Sequence, residues 1–293
     1  VDTNFEAAVD ALVYGDLATL AALLQASPEL LRARSARPHH ATLLHYVAAN
    51  GVEDERQKSP ANAVEIARLL LSAGAEVDAL AEMYGAPQTT MNMLVSSAHP
   101  ARAGVQNALV ETLLDFGAAI EGLRQASREC ERAVTDAGAP VILNPSPLLT
   151  ALAHGYLAAA ETLARRGAKT DNLPAAAGLG RLSETTHWLK NSTAADRHRA
   201  LALAAQHGHV DIVRLLLDAG EDPNRFNPPG FHPHSTPLHQ AACYGHEAVV
   251  RLLVERQARR DIEDTVYHGT PLGWAKHAGN AAIEAYLVRC EHS

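Results

Sequence analysis

The side chains best suited to chemistry at neutral pH are the sixteen histidines among 293 residues, because imidazole titrates near neutrality and ligates metals through either ring nitrogen. His39 and His40 follow Pro38, His232 and His234 flank Pro233, and His268 stands beside Tyr267. Their Pro-rich, aperiodic surroundings mark these stretches as loops. A zinc or other transition-metal site needs three or four nitrogens, thiolates or carboxylates within bonding distance. An H-x-H spacing is common by chance, and the three loops are far apart in sequence. They read first as solvated loop histidines, and neither a metal nor a cofactor is expected. Acid–base work is the competing use; it would also draw on His154, His207, Tyr244, Tyr267 and the carboxylates Asp78 and Glu82. Nothing in the chain matches G-x-S-x-G, H-E-x-x-H, G-x-G-x-x-G or a Walker-type loop. Gly178-Leu179-Gly180 falls where a helix ends and reads as a cap.

Those loops hang from a helical framework that is clearest between Asp211 and Leu272. Thr236 can cap a helix whose first position is Pro237, where a missing N–H is harmless. Leu238, Ala241 and Ala242 form an apolar stripe with small residues at the close contacts, and Gly245 allows a left-handed helix end. Val249, Val250, Leu252 and Leu253 recur at helical spacing and make a second amphipathic helix. Thr270, Pro271, Leu272 and Gly279 then begin the pattern again.

This stretch resembles the ankyrin repeat, a β-turn followed by two helices with a T-P-L-H-x-A core. Thr236-Pro237-Leu238-His239-Gln240-Ala241 matches that core throughout. The resemblance implies that the motif histidine hydrogen-bonds neighbouring backbone and ties adjacent repeats together. That role passes to His239 and, in the weaker Thr42-Leu43-Leu44-His45, to His45; Gly273 stands in its place in the last copy. Counting back from the glycine that closes each first helix gives starts at Glu6, Thr42, Thr89, Ser146, Asp171, Arg199, Thr236 and Thr270. The last two intervals, 37 and 34 residues, lie slightly above the family period of about 33. The expected fold is therefore an all-α ankyrin-repeat solenoid of about eight helix-turn-helix repeats with finger loops. It would form a single domain over residues 1–293, with the N-terminal repeat at 5–31 and the C-terminal repeat at 270–290. Longer intervals mark insertions at Val52–Asn62, at His99–Gln106 and, longest, at 122–145, where Arg124–Ala137 has helical composition.

Composition narrows the partners. A net charge of −8 leaves no basic stripe to neutralise phosphates, so a nucleic-acid partner is not expected. No run approaches the roughly 20 apolar residues of a membrane span, and the opening VDTNFEAAVDAL lacks the basic start and apolar centre of a signal peptide. Three widely spaced cysteines fit a reducing compartment. A cytoplasmic location without membrane contact is the expectation.

In the family the first helices line a concave face, the turns project as fingers along its edge, and ligands usually sit there. The resemblance thus nominates Tyr46, Asn50, Met93, His154, His207, Gln240, Tyr244 and Trp274 as inward residues, joined by His232, His234 and His268 from the fingers. Tyrosine, tryptophan, methionine and histidine with amides between them suit an interaction patch or an apolar pocket. Any single one could instead be packed between repeats. The expectation is a non-enzymatic binding protein holding a protein or peptide on this face. The alternative is a small-molecule binder or enzyme. Its largely uncharged groove would be closed by the insertions and by the long fingers Val77–Gln88 and Asn224–Ser235 around a small apolar or aromatic molecule.

Overall fold

The computed structural model describes residues 3–123 and 146–291, and contacts divide the chain into two compact units, Val1–Ala168 and Lys169–Ser293. Within each unit the helices come in consecutive pairs, and like members of successive pairs pack on one another. In the first unit the first-helix row is Thr3–Val13, Leu43–Val47, Thr90–Leu94 and Pro147–Ala153. Its second-helix row is Leu17–Ala26, Ala63–Ser72, Gln106–Asp115 and Leu157–Arg165. In the second unit the first-helix row is Leu173–Gly178, Ala194–Gln206, Pro237–Cys243 and Pro271–His277. The second-helix row is Leu182–Leu189, Val210–Asp218, Glu247–Glu255 and Ala281–Glu291. Among the described residues no helix is long and apolar enough to cross a membrane.

Helices this short are marginal alone and persist because each buries a face against its neighbours. Leu201, Ile212, Leu238, Val249 and Leu253 share one core in the second unit, with Ala204 and Ala241 at the close approaches. The motif histidines fix the stacking. His239 Nδ1 accepts from the Thr236 amide at 3.2 Å, and its Nε2 lies 3.0 Å from the Gly269 carbonyl in the next pair. His45 repeats this with the Thr42 amide at 3.3 Å and the Gln88 carbonyl at 3.2 Å. An amide-accepting Nδ1 assigns the proton to Nε2, so each ring donates to the following repeat.

A second set of ties follows the glycines. His209 reaches the Gly178 carbonyl at 2.9 Å and His246 the Gln206 carbonyl at 2.8 Å, while Asn280 donates to the Ala242 carbonyl at 2.8 Å. Gly208 must be glycine for two reasons: its φ is +78°, and a Cβ there would stand 2.5 Å from His246 Nδ1.

Four local expectations differ from the structure. The finger Val77–Gln88 is largely a β-hairpin, in which Leu80–Met83 pairs antiparallel with Ala86–Thr89, so the fold is mostly helical and not all-α. Tyr84 and Gly85 both have positive φ, +55° and +78°, the requirement of the tight two-residue hairpin turn. Tyr-Gly is a weaker signal for it than Asn-Gly. The helix expected to start at Arg199 begins at Ala194, because Thr193 and Asp196 cap each other's backbone. Asn172, not Asp171, caps its helix, accepting from the Ala175 amide at 2.9 Å. The insertion His99–Gln106 is partly helical, over Ala98–Arg102. Most of the segment 122–145, including its expected helix, lies outside the described residues.

Candidate functional site

In the first unit the inward candidates are consumed by the protein itself. Tyr46 is fully buried, its ring edge-on to Phe5 at 6.4 Å. Its hydroxyl donates to Glu53 Oε1 at 3.3 Å, and burial pushes its pKa up to about 12. Glu53 comes from the Val52–Asn62 insertion and pairs with Arg37 Nε. Arg37 also meets Glu6 at 2.7 Å, and Arg56 bridges Glu6 at 2.6 Å and Asp10 at 2.8 Å. Burial holds His39 below the usual imidazole range, 3.7 Å from Glu53. The far part of the insertion is held as well, since Lys58 lies over the Tyr14 ring and Asn62 donates to the Gly15 carbonyl at 2.9 Å.

The other candidates of this unit are equally engaged. Asn50 donates to the Met93 carbonyl at 3.1 Å and to Ser96 Oγ at 2.9 Å, and accepts from the Tyr84 hydroxyl at 2.6 Å. Met93 is buried, and with Met83 it closes over Gly51 so tightly that a Cβ there would meet sulfur at 2.6 Å. His154 is half-buried with Nδ1 3.0 Å from the Thr150 carbonyl, and burial lowers its pKa.

The second unit presents its aromatics differently. Asp264 sits at the base of a turn and is almost fully buried. It accepts from the amides of Val266, Tyr267 and Gly269 and, at 2.9 Å, from Trp274 Nε1. Burial alone would raise its pKa, but those four hydrogen bonds outweigh the penalty and hold it at about 2. The indole so anchored lies 5.8 Å from the His234 ring and 5.3 Å from His239. His234 in turn meets Tyr267 edge-on at 6.1 Å and His232 at 5.8 Å, and burial keeps it toward the neutral form.

Beside this aromatic run is an open recess of about 530 Å³ lined by Cys243, Tyr267, Gly269, Gly273, Trp274 and His277. Among the described residues no Asp, Glu, Lys or Arg lines it. Tyr267 is 76% exposed, Val266 48% and Tyr244 42%.

Of the sequence candidates, the second unit therefore brings His232, His234 and Trp274 together. Gln240 is buried and donates to Ser235 Oγ at 2.8 Å. His207 stacks on His209 at 6.1 Å, Tyr244 stacks on His246, and His268 is exposed on a left-handed backbone. Among the described residues no group of three or more His, Cys, Asp or Glu could hold a metal ion. Sequence reasoning passed over Asp264 and Glu53. The first had a signal: an Asp shortly before a Gly-Thr-Pro turn can bond its own following amides. The second had none, because its closest partners, Arg37 and the Tyr46 hydroxyl, come from other parts of the chain and only Arg56 is local.

The comparisons agree with the repeat pattern. Residues 200–254 match the family model described as ankyrin repeats (many copies). The chain is 34% identical to XBAT31 of Arabidopsis thaliana over 106 residues, covering 36% of this chain and 22% of that protein. It is 28% identical over 254 residues to the ankyrin repeat and KH domain-containing protein mask-1 of Caenorhabditis elegans, covering 77% of this chain and 9% of that protein. The match thus spans less than a quarter of either relative. Among solved structures, the human ASB11 ankyrin repeat domain aligns over 98% of this chain and 97% of its own, with a TM-score of 0.45 and 20% identity.

Proposed function

This chain is an ankyrin-repeat protein, and because such repeats mediate protein–protein interaction, we propose that it holds a protein or peptide partner on the first-helix and finger side of its second unit. We read each helix pair as one repeat, eight over the described residues. The observation that supports the binding reading is the exposure of Tyr267 on the lining of the Trp274 recess, with Val266 and Tyr244 also exposed in the same unit. Large aromatics left in water beside an open recess are the usual anchors of a protein interface, where Tyr and Trp supply rigid buried area. In the first unit Tyr46 and Met93 are buried, and the exposed Tyr14 and Tyr84 are paired with Lys58 and Asn50.

A photo-crosslinking residue at Tyr267 or Tyr244, compared with one at Arg214 on the second-helix row, tests this. Expected is partner capture from Tyr267 and Tyr244, with Trp274→Ala weakening binding by about 1–3 kcal/mol. Capture from Arg214 alone would sink the reading. The small-molecule reading has one observation in its favour, a recess volume within the range of ligand sites. Exposed Tyr267 leaves that recess open, which suits a side chain of a larger partner better than an enclosed metabolite.

A further inference from the structure

Independently of the binding face, we propose that residues 53–62 of the first unit's insertion form a charge-latched strap. It opens as a unit ahead of the helices it is tied to, and so gives the first-helix side of that unit a covered and an uncovered state. No residue from Glu53 to Asn62 is buried; Val52 and Ala63, on either side, are. Its backbone–backbone hydrogen bonds stay local, Arg56 to the Glu53 carbonyl at 2.8 Å, Lys58 to the Arg56 carbonyl at 2.8 Å and Ala63 to the Pro60 carbonyl at 3.0 Å. Polar side chains therefore make the ties to the rest of the unit. Arg56 meets Glu6 at 2.6 Å and Asp10 at 2.8 Å, and Glu53 takes Arg37 Nε and the Tyr46 hydroxyl. Lys58 Nζ reaches the Tyr14 hydroxyl at 3.1 Å, and Asn62 the Gly15 carbonyl at 2.9 Å.

The closed strap also carries a penalty. Seven buried side-chain polar atoms lack a hydrogen-bond partner among the described residues, and three belong to the strap or to the loop against it: Glu53 Oε2, Ser59 Oγ and His39 Nε2. His39 Nδ1 accepts from the Ala41 amide at 3.0 Å, which puts the proton of the neutral ring on Nε2. That nitrogen stands 3.7 Å from Glu53 Oε2, beyond hydrogen-bond reach. A buried polar atom without a partner forgoes the bond that water would give it. Opening the strap returns Glu53 Oε2 and Ser59 Oγ to water and parts Glu53 from Tyr46 and Arg37. Segments with few buried apolar contacts and exposed local hydrogen bonds are where folded proteins open first. Because the latch is ionic and the Asp10 side chain is 55% exposed, dissolved salt reaches it.

Ser59 Oγ is covered while the strap is closed, so the thiol of Ser59→Cys reacts only when it opens. Alkylation by iodoacetamide, located by mass spectrometry, then measures the open fraction. Thr112→Cys, fully buried in the helix Gln106–Asp115, reports opening of the repeats themselves. Ser59→Cys should label at least about a hundredfold faster than Thr112→Cys, at a rate that low urea barely changes. Raising sodium chloride from roughly 0.05 M to about 1 M should speed it severalfold. Adding Arg56→Gln, which removes the ties to Glu6 and Asp10, should speed it further; if that variant does not fold, the salt series on Ser59→Cys alone decides. Nitration of Tyr46 by tetranitromethane should rise with the labelling. If Ser59→Cys labels no faster than Thr112→Cys, or both rates climb together with urea, the strap opens only with the fold and the proposal fails. Labelling at the rate of the isolated strap peptide, unmoved by salt, means that no latch exists and overturns it equally. Labelling that rises without Tyr46 nitration would leave that face covered in both states, and the uncovered state would be wrong.

Discussion

The first-helix side of the first unit and that of the second start from the same motif and end as different surfaces. In the first, Tyr46, Asn50 and Met93 occupy inward positions, but the Val52–Asn62 insertion and the Leu80–Thr89 hairpin supply partners for all three. Glu53 accepts from the Tyr46 hydroxyl, and the Tyr84 hydroxyl donates to Asn50 Oδ1. In the second, the fingers carry Tyr267 and His234 to Trp274 without covering it. Inward position in a repeat is therefore not enough to make a binding residue. What the neighbouring loops do with it decides.

The largest expected effect shows how much the two units share. Burial pushes His45 down to about 4 and lowers His239, while in the unfolded chain both titrate near the ordinary value of about 6.5. Above that value neither state is protonated and stability is full. As pH falls from about 6.5 toward 4 the unfolded chain holds more protons, so stability falls by up to about 1.4 kcal/mol per pH unit for each such histidine. His39 and His154 in the first unit and His198, His234 and His246 in the second shift the same way. Urea unfolding at pH 7 and pH 5 should show a loss of several kcal/mol, with amide exchange rising in both units. A flat profile over that window means the motif histidines are not buried neutral donors. Exchange rising in one unit alone means the common frame is wrong.

Glu53→Ala is the next largest and separates the units. It leaves the partly buried Arg37 and Arg56 with one counter-ion fewer and the Tyr46 hydroxyl without its acceptor. Removing one member of such a network should cost about 2–3 kcal/mol, less than the full buried-pair figure because Arg37 is partly exposed. Partner binding by the second unit should not change. A stability loss accompanied by lost binding would show that the first unit also serves the partner, and the contrast drawn above would fail.

Much of the frame was legible in the sequence because it rests on local rules. Thr236-Pro237 announces a helix start, Gly245 a helix end, and His239 a tie to the next repeat, each within a few residues. The hairpin was not legible, since Tyr84-Gly85 is a weak turn signal and its strand pairing competes with a helical background. Nor was the fate of Tyr46, which depends on Glu53 reaching it from an irregular insertion. Trp274 and His234 were both nominated, yet their meeting through Asp264 and Tyr267 depends on the paths of two separate fingers. Periodicity can place a side chain on a face. It cannot say whether a distant loop will cover it.

The smallest expected effect tests whether the open face of the second unit is kept at a cost in stability. Gly273 stands where His45 and His239 stand in the better copies of the motif. It lies inside the helix Pro271–His277 with its amide bonded to Thr270 Oγ1 at 3.3 Å. Its φ is not in the left-handed region, and an added Cβ would meet only Thr270 Oγ1, at 3.8 Å. Nothing in the folded chain therefore requires glycine there. Gly273→Ala removes backbone freedom from the unfolded chain and should raise stability by about 0.5–1 kcal/mol. The same substitution type at Gly208 should do the reverse and by more, because there the Cβ collides with the His246 ring on a left-handed backbone. Thermal melts of the two variants beside the parent give the comparison directly. If Gly273→Ala melts below the parent, the space beside it is not free, and the recess cannot admit a partner's side chain as described.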